Sequence, residues 1–164
     1  MIQLIKKIIK IFEQIYIYWF RENYTVLIKL DHSKNAHIPT KGTTSSAGLD
    51  LYTINDFTVK SKDFVVVPTG VYMCIPDGHF GKIECRSSLA IKGFSILGGV
   101  IDRDYTGEIN VILLNNSEYD YNFYKEDRIA QIVIHKILNY PVLKIVNNLE
   151  ITERNQNGFG STGK

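Results

Sequence analysis

The spacing of apolar residues changes twice along this chain and divides it into three zones. In residues 1 to 23, MIQLIKKIIKIFEQIYIYWFREN, Ile5, Ile8, Phe12, Ile15 and Trp19 recur at intervals of three and four. That is the period of a helix, and Lys6, Lys7, Lys10, Glu13, Gln14 and Arg21 fall mostly on its other side. The pattern predicts an amphipathic helix with a wide apolar stripe. Such a stripe has to be covered by the domain, by a neighbouring subunit or by a membrane surface, which suits lysines beside an aromatic-rich face. Lys10, Glu13 and Gln14 interrupt the run, so it falls short of the ~20 apolar residues of a spanning helix. It lacks a small-residue cleavage site, which argues against a signal peptide, and its scarcity of arginine and serine argues against a mitochondrial leader.

From residue 24 to about 146 the period shortens to two. YTVLIKL, GLDLYTI, DFVVVPTGVYMCIP, FGKIECR, GEINVILLNN and DRIAQIVIHKI are rich in Val, Ile, Tyr and Phe, and short clusters of Gly, Asn, Asp or Pro separate them. In INVILL the alternation turns Ile109, Val111 and Leu113 to one face, and Asn110 and Ile112 to the other. No core helix is evident beyond position 23. Many short strands with turns between them predict an all-β sandwich, jelly roll or closed barrel. Residues 147 to 164, NNLEITERNQNGFGSTGK, are polar and rich in Asn and Gly, the composition of a flexible arm.

Composition narrows the partners. The 164 residues suffice for one domain with a real core, and the net charge of +2 is too small to point to nucleic acid. Cys74 and Cys85 both fall in apolar runs and read as small buried thiols rather than a disulfide framework. That favours a reducing compartment, cytoplasmic or nuclear, over secretion. His32, His37, His79 and His135 show no zinc-ligand spacing.

Several stretches can carry chemistry, each with an ordinary reading beside the sharp one. GFGSTGK, residues 158 to 164, has P-loop spacing, but no hydroxyl residue and helix follow Lys164, so that reading fails on context. Its physics remains: glycines let backbone N–H groups turn toward an anion, Ser161 and Thr162 add hydroxyls, and Arg154 adds a bidentate contact. ECRSSLAIKG places Arg86, Ser87 and Ser88 at a strand-to-turn junction, where they suit phosphate or form an ordinary surface turn. Gln131 in DRIAQIVIHKI reads as a solvated strand residue or a ligand contact. Asp50, set between Leu49 and Leu51, needs a partner because an enclosed carboxylate is costly alone. GGVIDRDYTGEI concentrates Asp102, Arg103, Asp104 and Tyr105 on one turn, which by itself is a solvated β-hairpin.

The order of these stretches is more specific than any of them. AGLDLYT, RSSLA, GGVIDRDYTGEI, DRIAQIVI and RNQNGFGSTG resemble the five ordered motifs of the trimeric dUTPase family, over residues 24 to 163. The resemblance implies a distorted jelly-roll barrel assembled as a homotrimer, with active sites shared between chains and a C-terminal arm closing a neighbour's site. It implies hydrolysis of dUTP to dUMP and pyrophosphate, which keeps uracil out of DNA and supplies dUMP for thymidylate synthesis, with Mg²⁺ held mainly on the triphosphate. By motif position, Asp102 is the base for the attacking water and Tyr105 packs on deoxyribose, refusing a 2′-hydroxyl. Gly98, Gly99, Val100 and Ile101 read the uracil edge. Arg86, Ser87, Ser88 and Gln131 face the phosphates, and Asp50 lies near the hydrated metal. Arg128 is structural and pairs with Asp104. From the arm, Arg154 clamps the terminal phosphate, Phe159 stacks on uracil, and Gly160, Ser161 and Thr162 donate to phosphate.

The chain departs from the family pattern at Ser88, Asn155 and Asn157, where glycine is usual. Two other readings remain open. A dCTP deaminase, alone or bifunctional, shares the fold, but it needs a glutamate where this chain has Ile112. A non-catalytic dUTPase-like binding or signalling protein is the other, against which every proposed catalytic position is suitably filled.

Overall fold

In the computed structural model the described residues are 2–138, 141–153 and 155, without the side chains of 2–4 and 17–23. Helix α1 spans Ile2–Tyr24. Strands β1 (Leu27–Leu30), β2 (Leu49–Tyr52), β3 (Phe57–Val59), β4 (Phe64–Cys74) and β5 (His79–Glu84) follow. A one-turn helix α2 (Ser87–Ala90) precedes β6 (Phe94–Leu97), β7 (Val100–Ile101), β8 (Glu108–Asn115), β9 (Tyr121–Phe123) and β10 (Arg128–Lys136). The strands form two four-stranded sheets, ordered β1-β4-β8-β6 and β2-β10-β5-β7, and a two-stranded β3-β9 ribbon. Every pairing is antiparallel. This is an all-β, jelly-roll-like body carrying an N-terminal helix.

Period-two patterning explains the core. β8 is the central case: Ile109, Val111 and Leu113 are fully buried, while Asn110, Ile112 and Leu114 on its other face are only half-buried. They meet Val67, Val71 and Met73 of β4 and Ile83, Ile129 and Ile132 of the second sheet. Each such side chain contributes about 1.5–3 kcal/mol on burial. Asn115 ends the inward face of β8 and is fully buried. It is tolerated because its amide donates to Val59 O at 3.2 Å and Tyr119 O at 2.7 Å, and its carbonyl accepts from Ser117.

Four expectations need correction. First, the domain does not cover the apolar stripe of α1 between Ile5 and Tyr16, whose side chains are all exposed; the described contact of the helix with the body is at its end, where Tyr24 meets the His79 ring at 5.3 Å. Second, a helix does lie beyond position 23, since α2 buries Leu89. Third, Cys74 is exposed, because it points outward between the buried Met73 and Ile75, and Cys85, just past the end of β5, is only half-buried. Fourth, GGVIDRDYTGEI is not a hairpin. β7 pairs with β5, whereas β8 pairs with β4 and β6, so the charged turn carries the chain from one sheet to the other. The last strand also ends at Lys136, and residues 141–153 carry no regular secondary structure.

Candidate active site

Strand register builds the site. Asp50 on β2 stands opposite Gln131 on β10, which stands opposite Glu84 on β5. One row across three strands thus brings Asp50 and Gln131 beside Arg86, which lies two residues past Glu84. Asp50 is 7% exposed, and its carboxylate is the hub of the cluster. Arg86 Nε donates to Oδ1 at 2.9 Å, and Arg86 Nη2 and Arg128 Nη1 donate to Oδ2 at 3.5 and 3.3 Å. This is the partner the enclosed aspartate required. Within the chain, Arg128 therefore pairs with Asp50 rather than with Asp104 as expected: the β2–β10 register sets Arg128 against Tyr52, beside Asp50.

Around this hub lies a cleft of about 350 Å³, lined by Gly42, Ser46, Gly48, Asp50, Arg86, Ser87, Ser88, Arg128 and Gln131. Two guanidinium groups and several hydroxyls on one open cleft suit an anion with many oxygens. The cleft brings together the sequence-predicted Asp50, Arg86, Ser87, Ser88 and Gln131. Gln131 is held by its amide, which donates to Cys85 O at 3.3 Å. Gly48 presses on it from the other side, and a Cβ there would collide with the Gln131 amide.

Gly42, Ser46 and Gly48 were missed as site residues. Their loop is closed at its base by paired hydrogen bonds between Thr40 and Asp50, 2.7 and 3.3 Å long. Ser46 also accepts from Thr43 N at 2.9 Å. The signal was the Gly- and hydroxyl-rich KGTTSSAG immediately before LDLYT.

The second cluster is the turn between β7 and β8. Gly98 and Gly99 have φ of +65° and +88°, and a Cβ on Gly99 would stand 2.8 Å from Ile83 O. Glycine is needed there on both counts. Gly99 O accepts from Ile83 N at 2.7 Å, and Ile101 is buried, so the strand is pinned to β5 while Val100 stays 56% exposed. Tyr105 N donates to Asp102 O at 3.1 Å, which closes the turn. The Tyr105 hydroxyl donates to Glu108 O at 2.8 Å, and its ring lies over Gly107. Asp102 and Tyr105 are both exposed.

Neither Asp102 nor Tyr105 lines the cleft. One chain therefore holds two separate clusters, the cleft between β2, β10 and α2 and the exposed Asp102–Tyr105 turn that follows β7. Arg154, Phe159, Gly160, Ser161 and Thr162 lie outside the described residues. No group of three or more His, Cys, Asp or Glu converges among the described residues. Ile112, where a deaminase base would stand, is a half-buried β8 residue opposite Val66 and Leu97, with no group able to move a proton.

Comparison with known proteins matches this arrangement to one family. The sequence model of the dUTPase family matches residues 34–163. The deoxyuridine 5'-triphosphate nucleotidohydrolase of Saccharomyces cerevisiae is 42% identical over 132 residues, 80% of this chain and 90% of the yeast protein. That of swinepox virus is 43% identical over 141 residues, 85% of this chain and 97% of the viral protein. Among solved structures, the Staphylococcus bacteriophage 80alpha dUTPase with dUPNHPP superposes with a TM-score of 0.78 at 30% identity, covering 85% of this chain and 99% of the phage chain. A mutant dUTPase from phage phi11 of S. aureus, described with a structural Mg(II) ion, gives a TM-score of 0.70 at 25% identity over 77% of this chain and 99% of its own.

Proposed function

The chain belongs to the dUTPase family, and on that premise we propose that it hydrolyses dUTP to dUMP and pyrophosphate in sites shared between the chains of a homotrimer. The observation that carries this reading is the division of the site. The anion cleft and the Asp102–Tyr105 turn are each well formed in one chain, yet they are separate, and a neighbouring copy can bring one turn to another chain's cleft. The 80alpha phage dUTPase with dUPNHPP supports a deoxyuridine nucleotide as the ligand.

The triphosphate lies in the cleft, where Arg86 and the Ser87 and Ser88 hydroxyls meet its oxygens and Gln131 sets the limit of the wall. Uracil lies along the backbone of Gly99, Val100 and Ile101, whose strand is fixed to β5. Tyr105 packs on the deoxyribose, where a 2′-hydroxyl would strike its ring. Asp102 takes the proton of the water that attacks the α-phosphorus, and the pyrophosphate departs from the opposite side. A positioned base contributes about 10²–10⁴-fold. Clamping of phosphate charge supplies much of the rest.

The residues fit Mg²⁺ held through the substrate. Mg²⁺ dehydrates reluctantly and is bound by one or two carboxylates together with phosphates, rather than by a protein cage. The cleft agrees with this, because its one carboxylate, Asp50, is engaged by Arg86 and Arg128, and the guanidiniums suit phosphate. When bound, the metal neutralises charge on the phosphate chain. Asp50, engaged by two arginines, acts as the residue that aims Arg86. Its placement beside a hydrated metal belongs with this proposal only as a second contact. The arm, with Arg154, Phe159, Gly160, Ser161 and Thr162, closes over a neighbour's site. The work of such an enzyme lies in the cytoplasm or nucleus, where dUTP would otherwise enter DNA.

The test is a nucleotide panel with Mg²⁺. Pyrophosphate release is expected from dUTP, with little from UTP, dTTP or dCTP. Asp102→Asn should lower kcat by about 10²–10⁴-fold while dUTP still binds. Ammonia release from dCTP, or near-normal turnover by Asp102→Asn, overturns the reading.

A further inference from the structure

We propose that α1 docks this enzyme onto an anionic lipid surface, lying in the plane of the membrane interface. The first observation is exposure. Ile5, Ile8, Ile9, Ile11, Phe12 and Ile15 are each between 44% and 67% exposed, and no strand covers them. A face of this kind is costly in water and marks a surface built to be covered.

The second observation is the width of the face. At 3.6 residues per turn, these residues with Tyr16 sweep an arc of about 160°. Ile5, Ile8, Phe12 and Ile15 also keep the three–four spacing of a coiled-coil seam. A coiled coil, however, places charge at the positions flanking the seam. Here those positions hold Ile9, Ile11 and Tyr16, and pairing through the seam would leave them in water. A lipid interface covers the whole arc at once.

The third observation is charge. Lys6, Lys7 and Lys10 are all exposed on the polar arc, with Glu13 the one acid among its described side chains. At 3.6 residues per turn Lys7 borders the apolar arc beyond Ile11, and beyond Ile9 Lys6 follows Glu13 around the wheel. The lysine stems can reach toward the apolar boundary while the ammonium groups meet lipid phosphates. The helix is roughly 35 Å long at 1.5 Å per residue. No helix among the described residues is long and apolar enough to cross a membrane. The helix therefore rests on the surface. Near an anionic leaflet each lysine strengthens attachment about fivefold, so the three together account for roughly a hundredfold.

Flotation of the full chain with phosphatidylcholine vesicles, with and without phosphatidylserine, tests this. The protein should rise with the phosphatidylserine vesicles and stay behind with phosphatidylcholine alone. The triple variant K6E/K7E/K10E should bind them at least tenfold more weakly, and I8E/F12E should not bind. Both variants should hydrolyse dUTP at the unaltered rate, which shows that the domain is folded and that the loss belongs to α1. Equal flotation with both vesicle types, or unchanged flotation of I8E/F12E, overturns the proposal. So does failure of the full chain to float while I8E/F12E lowers its mass in sedimentation, because the face then joins copies of this chain.

Discussion

Replacing Asp50 by Asn removes a charge and keeps the shape, and three hydrogen bonds set the size of the effect. Two of them, from Arg86 Nη2 and Arg128 Nη1, are long at 3.5 and 3.3 Å, and the Arg128 side chain is 49% exposed, so water already competes with it. The third, from Arg86 Nε at 2.9 Å, joins a side chain 22% exposed to one 10% exposed. Breaking a fully buried pair costs about 3–5 kcal/mol. Partial exposure brings this down to roughly 2 kcal/mol, near the value of one charge-assisted hydrogen bond. For a chain of this length that lowers Tm by about 4–8 °C. Arg86 also loses its aim, so kcat/KM for dUTP should fall about tenfold or more, the equivalent of 1.4 kcal/mol. The assay pairs a calorimetric melt with steady-state kinetics over a range of Mg²⁺. The expected deficit persists at every Mg²⁺ concentration, because the lost contact is to arginine. An unchanged Tm with full kinetic rescue by high Mg²⁺ would refute the reasoning and make Asp50 a metal-positioning residue.

Gly48→Ala drives a methyl group into the Gln131 amide and should raise KM for dUTP about tenfold with a stability cost of roughly 1–3 kcal/mol; unchanged KM would detach Gln131 from the phosphate cleft. Asn115→Ala removes the amide that meets Val59 O, Tyr119 O and Ser117 N, leaving the buried Val59 O contact unmade, and should destabilise the fold by about 1–3 kcal/mol in denaturant titration. A loss below half a kilocalorie would mean that water replaces the amide. Burial first, and the Glu84 charge second, push the Cys85 thiol up from its ordinary pKa. Cys85 therefore remains a protonated thiol at neutral pH, and alkylation followed by mass spectrometry should modify the exposed Cys74 first. The opposite order would show that the β5–α2 junction opens readily.

The legible part of this protein was whatever a local period writes down. The alternation in INVILL fixed the inward face of β8, and the three–four spacing gave α1 almost to the residue. The illegible parts depend on distant partners. Val100 and Ile101 read as one arm of a hairpin because a charged turn follows them, yet their ladder is with β5, and only the closing of two sheets decides that. The partner of Asp50 was open for the same reason: Arg86 and Arg128 lie 36 and 78 positions away. The loop at Gly42, Ser46 and Gly48 has no period, and Thr40 and Asp50 closing its base place it in the site. Arg86, Ser87, Ser88 and Gln131 were singled out together because the order of motifs preserves information that their local patterns lack, and the fold gathers them on one cleft.

The separation of the cleft from the Asp102–Tyr105 turn has a consequence for mixed assemblies. In the proposed trimer the cleft of one chain is completed by the turn of the next, so catalytic capacity belongs to boundaries between chains and not to chains. Two dead proteins, one lacking Arg86 and the other lacking Asp102, should therefore complement when they assemble together. Any ring containing both holds a single boundary where an intact cleft faces an intact turn. A chain carrying both lesions spoils two boundaries at once. Defects in this protein would be inherited by neighbours: a faulty copy can silence sound ones, and two faulty copies can rescue each other.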